Sequence, residues 1–354
     1  MKYQTNRSGY LVSAVVTLGF LFAVLSPASM LCDDLQRPDK PKPSLPRPQP
    51  KDDEGAQKDD TPIRLGTDLV LLDVTVVDTS NKPVMDLKRD EFAVTEDKVL
   101  QKIEFFSREQ VPVSLAFAID TSGSMRPKLD TVVKASIDLA KQSRKGDELA
   151  VIEFKDQPEL LEEFTQDIND VIDTLNGLVA SRQTAMLDAL YLAADYANKE
   201  GKNRRKAVLL VTDGLDNDSY YKFSEVVHHL REIDVQIYFI GFISDLERED
   251  KGLFRKSSKE KAESLLNKLA EETGGKAFYP KELSEVHQIA QQISTDLRTQ
   301  YSIGYYPSNS RKDGSFRSVK VQVNADNRRL IARTRNGYTA PKEGDVQSPR
   351  NRMD

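Results

Sequence analysis

The chain has 354 residues, 38% of them hydrophobic, with 51 basic against 56 acidic side chains and a formal net charge of -5. This length admits more than one domain, since a domain usually takes roughly 100–200 residues. The mild, evenly mixed charge excludes a nucleic-acid face, which would gather Lys and Arg on one side. The absence of Trp, with 7% aromatic residues, leaves no obvious stacking platform for bases or sugars.

Residues 1–30 read as a secretory signal peptide. Lys2 and Arg7 precede the apolar run "YLVSAVVTLGFLFAVL", and "SPAS" supplies small residues for cleavage near Ala28 or Ser29. The run is short for a permanent membrane span, so the expectation is an exported protein of the periplasm, cell envelope or extracellular space. Cys32 is the single cysteine, which excludes an intrachain disulfide. It stands where a bacterial lipoprotein carries its lipidated cysteine, but Leu31 fills the preceding position, where such proteins need a small residue. An incidental thiol is the simpler reading. A membrane enters only through an uncleaved signal or a lipid anchor.

Residues 31–62 contain "RPDKPKPSLPRPQPKDDEGAQKDDTP", which is proline-rich and almost without apolar side chains. Such a segment cannot bury enough surface to offset its ordering, so it predicts an extended, polyproline-like tether. A motif for a proline-binding groove is the minor alternative.

Residues 63–110 predict three strands, in "DLVLLDVTVVD", "DEFAVTED" and "LQKIEFFSRE", too few for a stable sheet alone. Residues 111–299 alternate strands with helices. "VSLAFAID", "DELAVIEF", "KAVLLVTDG", "VQIYFIGF" and "KAFYP" are buried strands, and "PELLEEFT" reads as an antiparallel edge strand. Helical spacing marks "KLDTVVKASIDLAKQ", "DINDVIDTLNGL" with Asp167 as its cap, "AMLDALYLAADYANK", "FSEVVHHLREI", "KAESLLNKLAEETGG" and "ELSEVHQIAQQISTDLRTQ". Residues 300–340 return to strands, with Asp313-Gly314 as a hairpin-type turn signal. Residues 341–354 read as a disordered polar tail. The fold class is therefore α/β: a doubly wound, mostly parallel sheet with helices on both faces. The β segments on either side should pair into one β-sandwich. The last helix runs straight into "YSIGYYP", so a shift of that helix would be felt by the β module.

In an open parallel sheet, ligands sit beyond the carboxyl ends of the strands. Two strands end there in aspartate, Asp120 and Asp213, and Asp120 is followed by Ser122 and Ser124. "SRQTAMLDAL" places Thr184 just before a helix. Two carboxylates and three hydroxyls with no His or Cys suit a hard divalent cation, Mg²⁺ first, then Mn²⁺ or Ca²⁺. Zinc would want nitrogen or sulfur. The competing reading makes Ser122 and Ser124 simple helix caps. "LDND", with Asp216, is an acidic loop after the second strand. His228, His229 and His287 have no partner at metal-ligand spacing.

"DTSGS" with Thr184 and "VTDG" resembles, in order and spacing, the metal-ion-dependent adhesion site of von Willebrand factor A domains, over roughly Val113 to Arg298. The flanks "KPVMDLKRDEFAVTEDKVLQKIEFF" and "QYSIGYYPSN" resemble exported bacterial proteins described as carrying a "VWFA-related" domain. The resemblance implies direct metal bonds from Ser122 and Ser124, a direct or water-mediated one from Thr184, and water-mediated ones from Asp120 and Asp213. It implies a non-enzymatic module whose partner, a protein or a matrix or envelope ligand, completes the shell with a carboxylate. Gly123 and Gly214 would let the backbone pass close to the ion. Gly123, Arg182 and Asp216 are the candidate partner contacts. Relatives often carry a glycine pair where this chain has "SRQT", which loosens the expectation for Thr184.

Enzyme readings fit less well. A haloacid-dehalogenase-type phosphatase wants a second aspartate where Ser122 stands, and a dinucleotide site wants more glycines than Gly123 alone. A metal-dependent hydrolase of unrecognised type, and a scaffold whose metal site has lapsed, remain as the alternatives.

Overall fold

The computed structural model describes residues 42–47, 69–108, 110–180, 184–214, 216, 218–246, 257–325 and 328–342. The signal segment, Cys32, Arg182 and the tail from residue 343 lie outside the described residues. Among the described residues, no helix is long and apolar enough to cross a membrane. All of them belong to one unit, Pro41–Asp354.

The first β segment forms β1 (Val70–Asp78), β2 (Phe92–Glu96), β3 (Val99–Gln101) and β4 (Ile103–Ser107). Next come β5 (Val113–Asp120), α1 (Leu129–Ala140), β6 (Glu148–Phe154), β7 (Pro158–Thr165), α2 (Ile168–Asn176) and α3 (Met186–Glu200). They are followed by β8 (Arg205–Thr212), α4 (Phe223–Glu232), β9 (Gln236–Gly241), α5 (Ser258–Thr273), β10 (Lys276–Phe278) and α6 (Glu285–Arg298). The chain closes with β11 (Gln300–Tyr305), β12 (Phe316–Val323), β13 (Leu330–Arg333) and β14 (Gly337–Thr339).

Six strands form the central sheet in the order β10-β9-β8-β5-β6-β7, all parallel except β7. Every residue of β5 and β6 is buried, which is why their sequences are apolar on both faces. On one face Ala116, Ala118, Ile152 and Leu210 pack against α3, α4 and α5. On the other, Leu115, Phe117, Ile119 and Val151 pack against α1, α2 and α6. Local signals set the helix ends: Asp167 accepts a hydrogen bond from Asn169 N at 2.9 Å, and Ser257 and Glu260 form a capping box on α5.

The flanking β segments do pair. One four-stranded sheet has the order β13-β1-β11-β4 and the other β14-β12-β2-β3. They share a core of Leu72, Val74 and Val76 from β1, Phe92 and Val94 from β2, Tyr301, Ile303 and Tyr305 from β11, and Val319 and Val321 from β12. Inside it, the Tyr305 and Tyr338 hydroxyls both donate to Oε2 of buried Glu96, at 2.8 and 2.9 Å. Burial and this carboxylate hold the Tyr305 phenol far above its usual range.

The α/β part rests on the sandwich through charged groups. Arg204 forms a bidentate pair with Asp73 and also donates to Ser302 Oγ at 2.7 Å. Arg205 donates to the carbonyls of Leu297 and Gln300, at the junction of α6 and β11. Arg333 of β13 pairs with the fully buried Asp296 of α6.

Three expectations change. "LQKIEFFSRE" is not one strand: β3 pairs with β2 and β4 with β11, so the chain changes sheets at Lys102. Asp313-Gly314 does not close a hairpin, because β11 and β12 lie in different sheets. Gly314 takes a left-handed turn (φ +68°) that delivers the chain to β12, while Asp313 bridges to Lys342. The proline-rich tether is not wholly free, since residues 42–47 lie against β7.

Candidate metal centre

β5 and β8 are adjacent parallel strands with Ile119 opposite Val211. The register sets Asp120 beside Thr212 at the carboxyl end of the sheet, with Asp213 one residue further. Asp120 is fully buried. Its Oδ1 accepts from Ser122 N at 2.9 Å and its Oδ2 from Thr212 Oγ1 at 2.8 Å. Burial pushes its carboxyl up to about 6; hydrogen bonds from Ser122 and Thr212 oppose the rise, and the charge of Asp213 adds to it.

Ser122 is buried, Ser124 is exposed, and their hydroxyl oxygens are 3.1 Å apart. Ser122 precedes a short 3-10 turn, Gly123–Met125, without capping it through its side chain, and α1 starts only after Lys128. The helix-cap reading therefore does not describe Ser122. Met125 anchors the turn in the core below. Thr121, unremarked in the sequence, donates from Oγ1 to Glu153 Oε1 at 2.7 Å and from its amide to Phe154 O, fixing the loop to the end of β6.

Thr184 is buried, and the following Ala185 amide donates to Lys155 O at 2.6 Å. Asp213 is also buried, and Gly214 after it is left-handed (φ +82°), its amide bonded to Thr212 Oγ1 at 3.1 Å. Gly214 thus earns its place by conformation, whereas Gly123 is not among the left-handed residues. Asp216 is at the N-terminus of α3: its Oδ1 accepts from Met186 N at 3.1 Å and Ser219 Oγ at 2.5 Å. Asp188, in the first turn of α3, accepts the amides of Tyr220 and Tyr221 at 2.9 and 2.8 Å. Each segment supplies the carboxylate that satisfies the other's amides, so the loop after β8 and the start of α3 are clasped together. That clasp ties the start of α3, two residues after Thr184, to the loop that follows Asp213. Asp188 was visible in the sequence only as an acid in a first helical turn, and Ser219 gave no signal at all.

Among the described residues, no three His, Cys, Asp or Glu side chains converge to hold a metal. A cation here would rest on two carboxylates with hydroxyls and water. The donor set fits one: the oxygens of Asp120 are held by neutral donors, deep in the fold and beside a second carboxylate. Such a buried charge gains from a hard cation.

Residues 115–215 match the family model for the von Willebrand factor type A domain. The chain contains a von Willebrand factor type A domain. Among solved structures, it is similar to BatB from Bacteroides thetaiotaomicron (18% identity, 52% of this chain and 98% of that one, TM-score 0.40). It is also similar to the PilB minor pilin from Streptococcus sanguinis (15% identity, 55% and 63%, TM-score 0.42). A von Willebrand factor type A protein from Catenulispora acidiphila aligns over 78% of this chain and 74% of its own (14% identity, TM-score 0.44). A search of curated proteins gave no match.

Proposed function

We propose that the protein is an exported, metal-dependent binding module that holds a protein, matrix or envelope partner through a divalent cation. Ser122, Ser124 and Thr184 would present hydroxyl ligands to Mg²⁺, with Mn²⁺ or Ca²⁺ as substitutes. Asp120 and Asp213 would act mainly through water. The cation supplies an electrophilic position that a carboxylate of the partner fills. The observation that carries this reading is Asp120, fully buried beside Asp213 and oriented by Ser122 N and Thr212 Oγ1. This chain's own groups hold that carboxylate in place before any ion arrives, which lowers the cost of binding.

The test is Mg²⁺ titration by calorimetry together with capture from cell-envelope extract in Mg²⁺ and in EDTA. The double variant Ser122→Ala/Ser124→Ala should lose at least about tenfold in Mg²⁺ affinity, about 1.4 kcal/mol, and lose the Mg²⁺-dependent partners. Equal capture in all conditions would sink the metal-bridged mechanism. Hydrolysis of phosphate or peptide substrates abolished by Asp120→Ala would favour a hydrolase instead.

A further inference from the structure

Residues 42–47, Lys-Pro-Ser-Leu-Pro-Arg, make three contacts with the α/β part of the chain. The Pro46 carbonyl accepts a hydrogen bond from Leu160 N at 3.3 Å. Leu45 is partly buried and packs on the core that lies between the central sheet and α3. Arg47 Nη2 meets Glu200 Oε1, at the last residue of α3, at 2.7 Å.

Leu160 belongs to β7, the edge of the central sheet. The opposite edge, β10, has three residues, whereas β7 has eight. A long edge strand offers unpaired N–H and C=O groups to any extended chain, and folds cover or interrupt such edges. Here the covering segment is matched to its site. The charged residues of the segment, Lys42 and Arg47, are both basic, and Arg47 is paired with Glu200 at the end of α3, while Glu162 of β7 turns instead toward Thr174 of α2. The floor is built, because Phe164 of β7 stacks on Tyr196 of α3 at 5.2 Å and donates its amide to the Tyr196 hydroxyl. Pro43 and Pro46 keep the segment extended before it docks, so little conformational freedom is lost. Pro46 has no N–H and cannot extend a ladder. The contact is therefore a docked peptide and not a seventh strand.

We propose that the β7 edge and the C-terminal end of α3 form a binding site for extended, proline-containing peptides bearing Leu-Pro-Arg, with residues 42–47 of the same chain as its resident occupant. The clasp is releasable. It consists of one backbone hydrogen bond, one partly buried leucine, and an ion pair whose side chains are 60% and 45% exposed and so screened by salt. Closed, it holds the linker to the flank of the α/β part; open, it uncovers an edge that takes a peptide of the same chemistry through the same leucine, carbonyl and arginine contacts. It rests on contacts separate from the metal centre.

The test uses the full chain, the variant Leu45→Asp/Arg47→Glu, and Glu200→Lys, which loosens the clasp without touching the linker. Circular dichroism confirms that each is folded. Hydrogen exchange of the Leu160 amide should be at least tenfold faster in both variants than in the natural sequence. A fluorescent peptide with the sequence of residues 40–49 should bind Leu45→Asp/Arg47→Glu at least tenfold more tightly than it binds the natural chain. Adding Glu200→Lys should remove that gain, and a peptide carrying Arg47→Glu should restore it. Unchanged Leu160 exchange, or equal peptide affinity with the clasp intact and broken, would overturn the proposal. Sedimentation showing a dimer that both variants dissociate would move the occupant to a second copy and overturn the same-chain assignment.

Discussion

Replacing Gly214 by alanine strikes the loop that carries Asp213, and its cost follows from two features of that position. The backbone is left-handed at φ +82°, and an added Cβ would stand 2.7 Å from Ile243 Cγ2 and 3.2 Å from Ala262 Cβ. The left-handed conformation costs a non-glycine residue about 1 kcal/mol. Forcing a methyl into a filled space adds about 1–3 kcal/mol, so Gly214→Ala should destabilise the protein by about 3 kcal/mol. Urea unfolding followed by far-UV circular dichroism measures this in a chain without Trp. The two terms separate in the background Ile243→Ala, which removes the clashing methyl. There the same substitution should cost mainly the conformational part, about 1 kcal/mol, with Ala262 Cβ the remaining close contact. Mg²⁺ affinity should fall with Gly214→Ala, because Asp213 must move with its neighbour. A loss below about 1 kcal/mol in the natural background, or an equal loss in both backgrounds, would refute the steric argument.

Arg333→Met should cost about 3–5 kcal/mol by leaving the fully buried Asp296 without its cation. The double variant Arg333→Met/Asp296→Leu should recover most of that in denaturant unfolding, and equal stability of the two would argue against a paired charge. Tyr305→Phe removes one of two hydroxyls serving buried Glu96 and should cost about 1–3 kcal/mol; a loss near zero would mean that Tyr338 alone satisfies the carboxylate. His229 stacks on Tyr191 at 4.1 Å, and burial lowers its pKa below the ordinary 6.5, with Asp195 and Glu232 opposing and Lys199 and His228 assisting. The unfolded chain then binds a proton that the folded one resists, so stability should fall as pH drops through about 6.5. His229→Phe should lessen the fall in melting temperature between about pH 7 and 5; an unchanged pH slope would remove His229 from the account.

Much of the candidate centre could be read directly from the chain. Asp120, Ser122 and Ser124 lie within five residues at the end of one apolar strand, and Asp213 ends another. The strand-and-helix rhythm places both loops at the same end of a parallel sheet. Thr184 is different. Its segment is tied to the loop after β8 by Asp216, which accepts from Met186 N, and by Asp188, which accepts the Tyr220 and Tyr221 amides, across about thirty residues of chain, and no local pattern marks such a pair. Asp216, read as a partner contact, has one oxygen engaged at the start of α3.

Periodicity, caps and strand-end aspartates depend on each residue's near neighbours, so composition and spacing were enough for the doubly wound sheet and the helix at Asp167, and the shortage of strands in each β flank pointed to their pairing. Sheet membership, by contrast, is a long-range property. Lys102 separates strands that pair with β2 and with β11, in different sheets, and Asp313-Gly314 turns toward Lys342 and not into a hairpin. The same holds for the proline-rich linker. Its composition predicts an extended chain, but the folded α/β part creates the edge and the Glu200 carboxylate that hold residues 42–47. A backbone bond or an ion pair between residues more than a hundred positions apart, such as Arg47 with Glu200, exists only once packing has brought its two ends together.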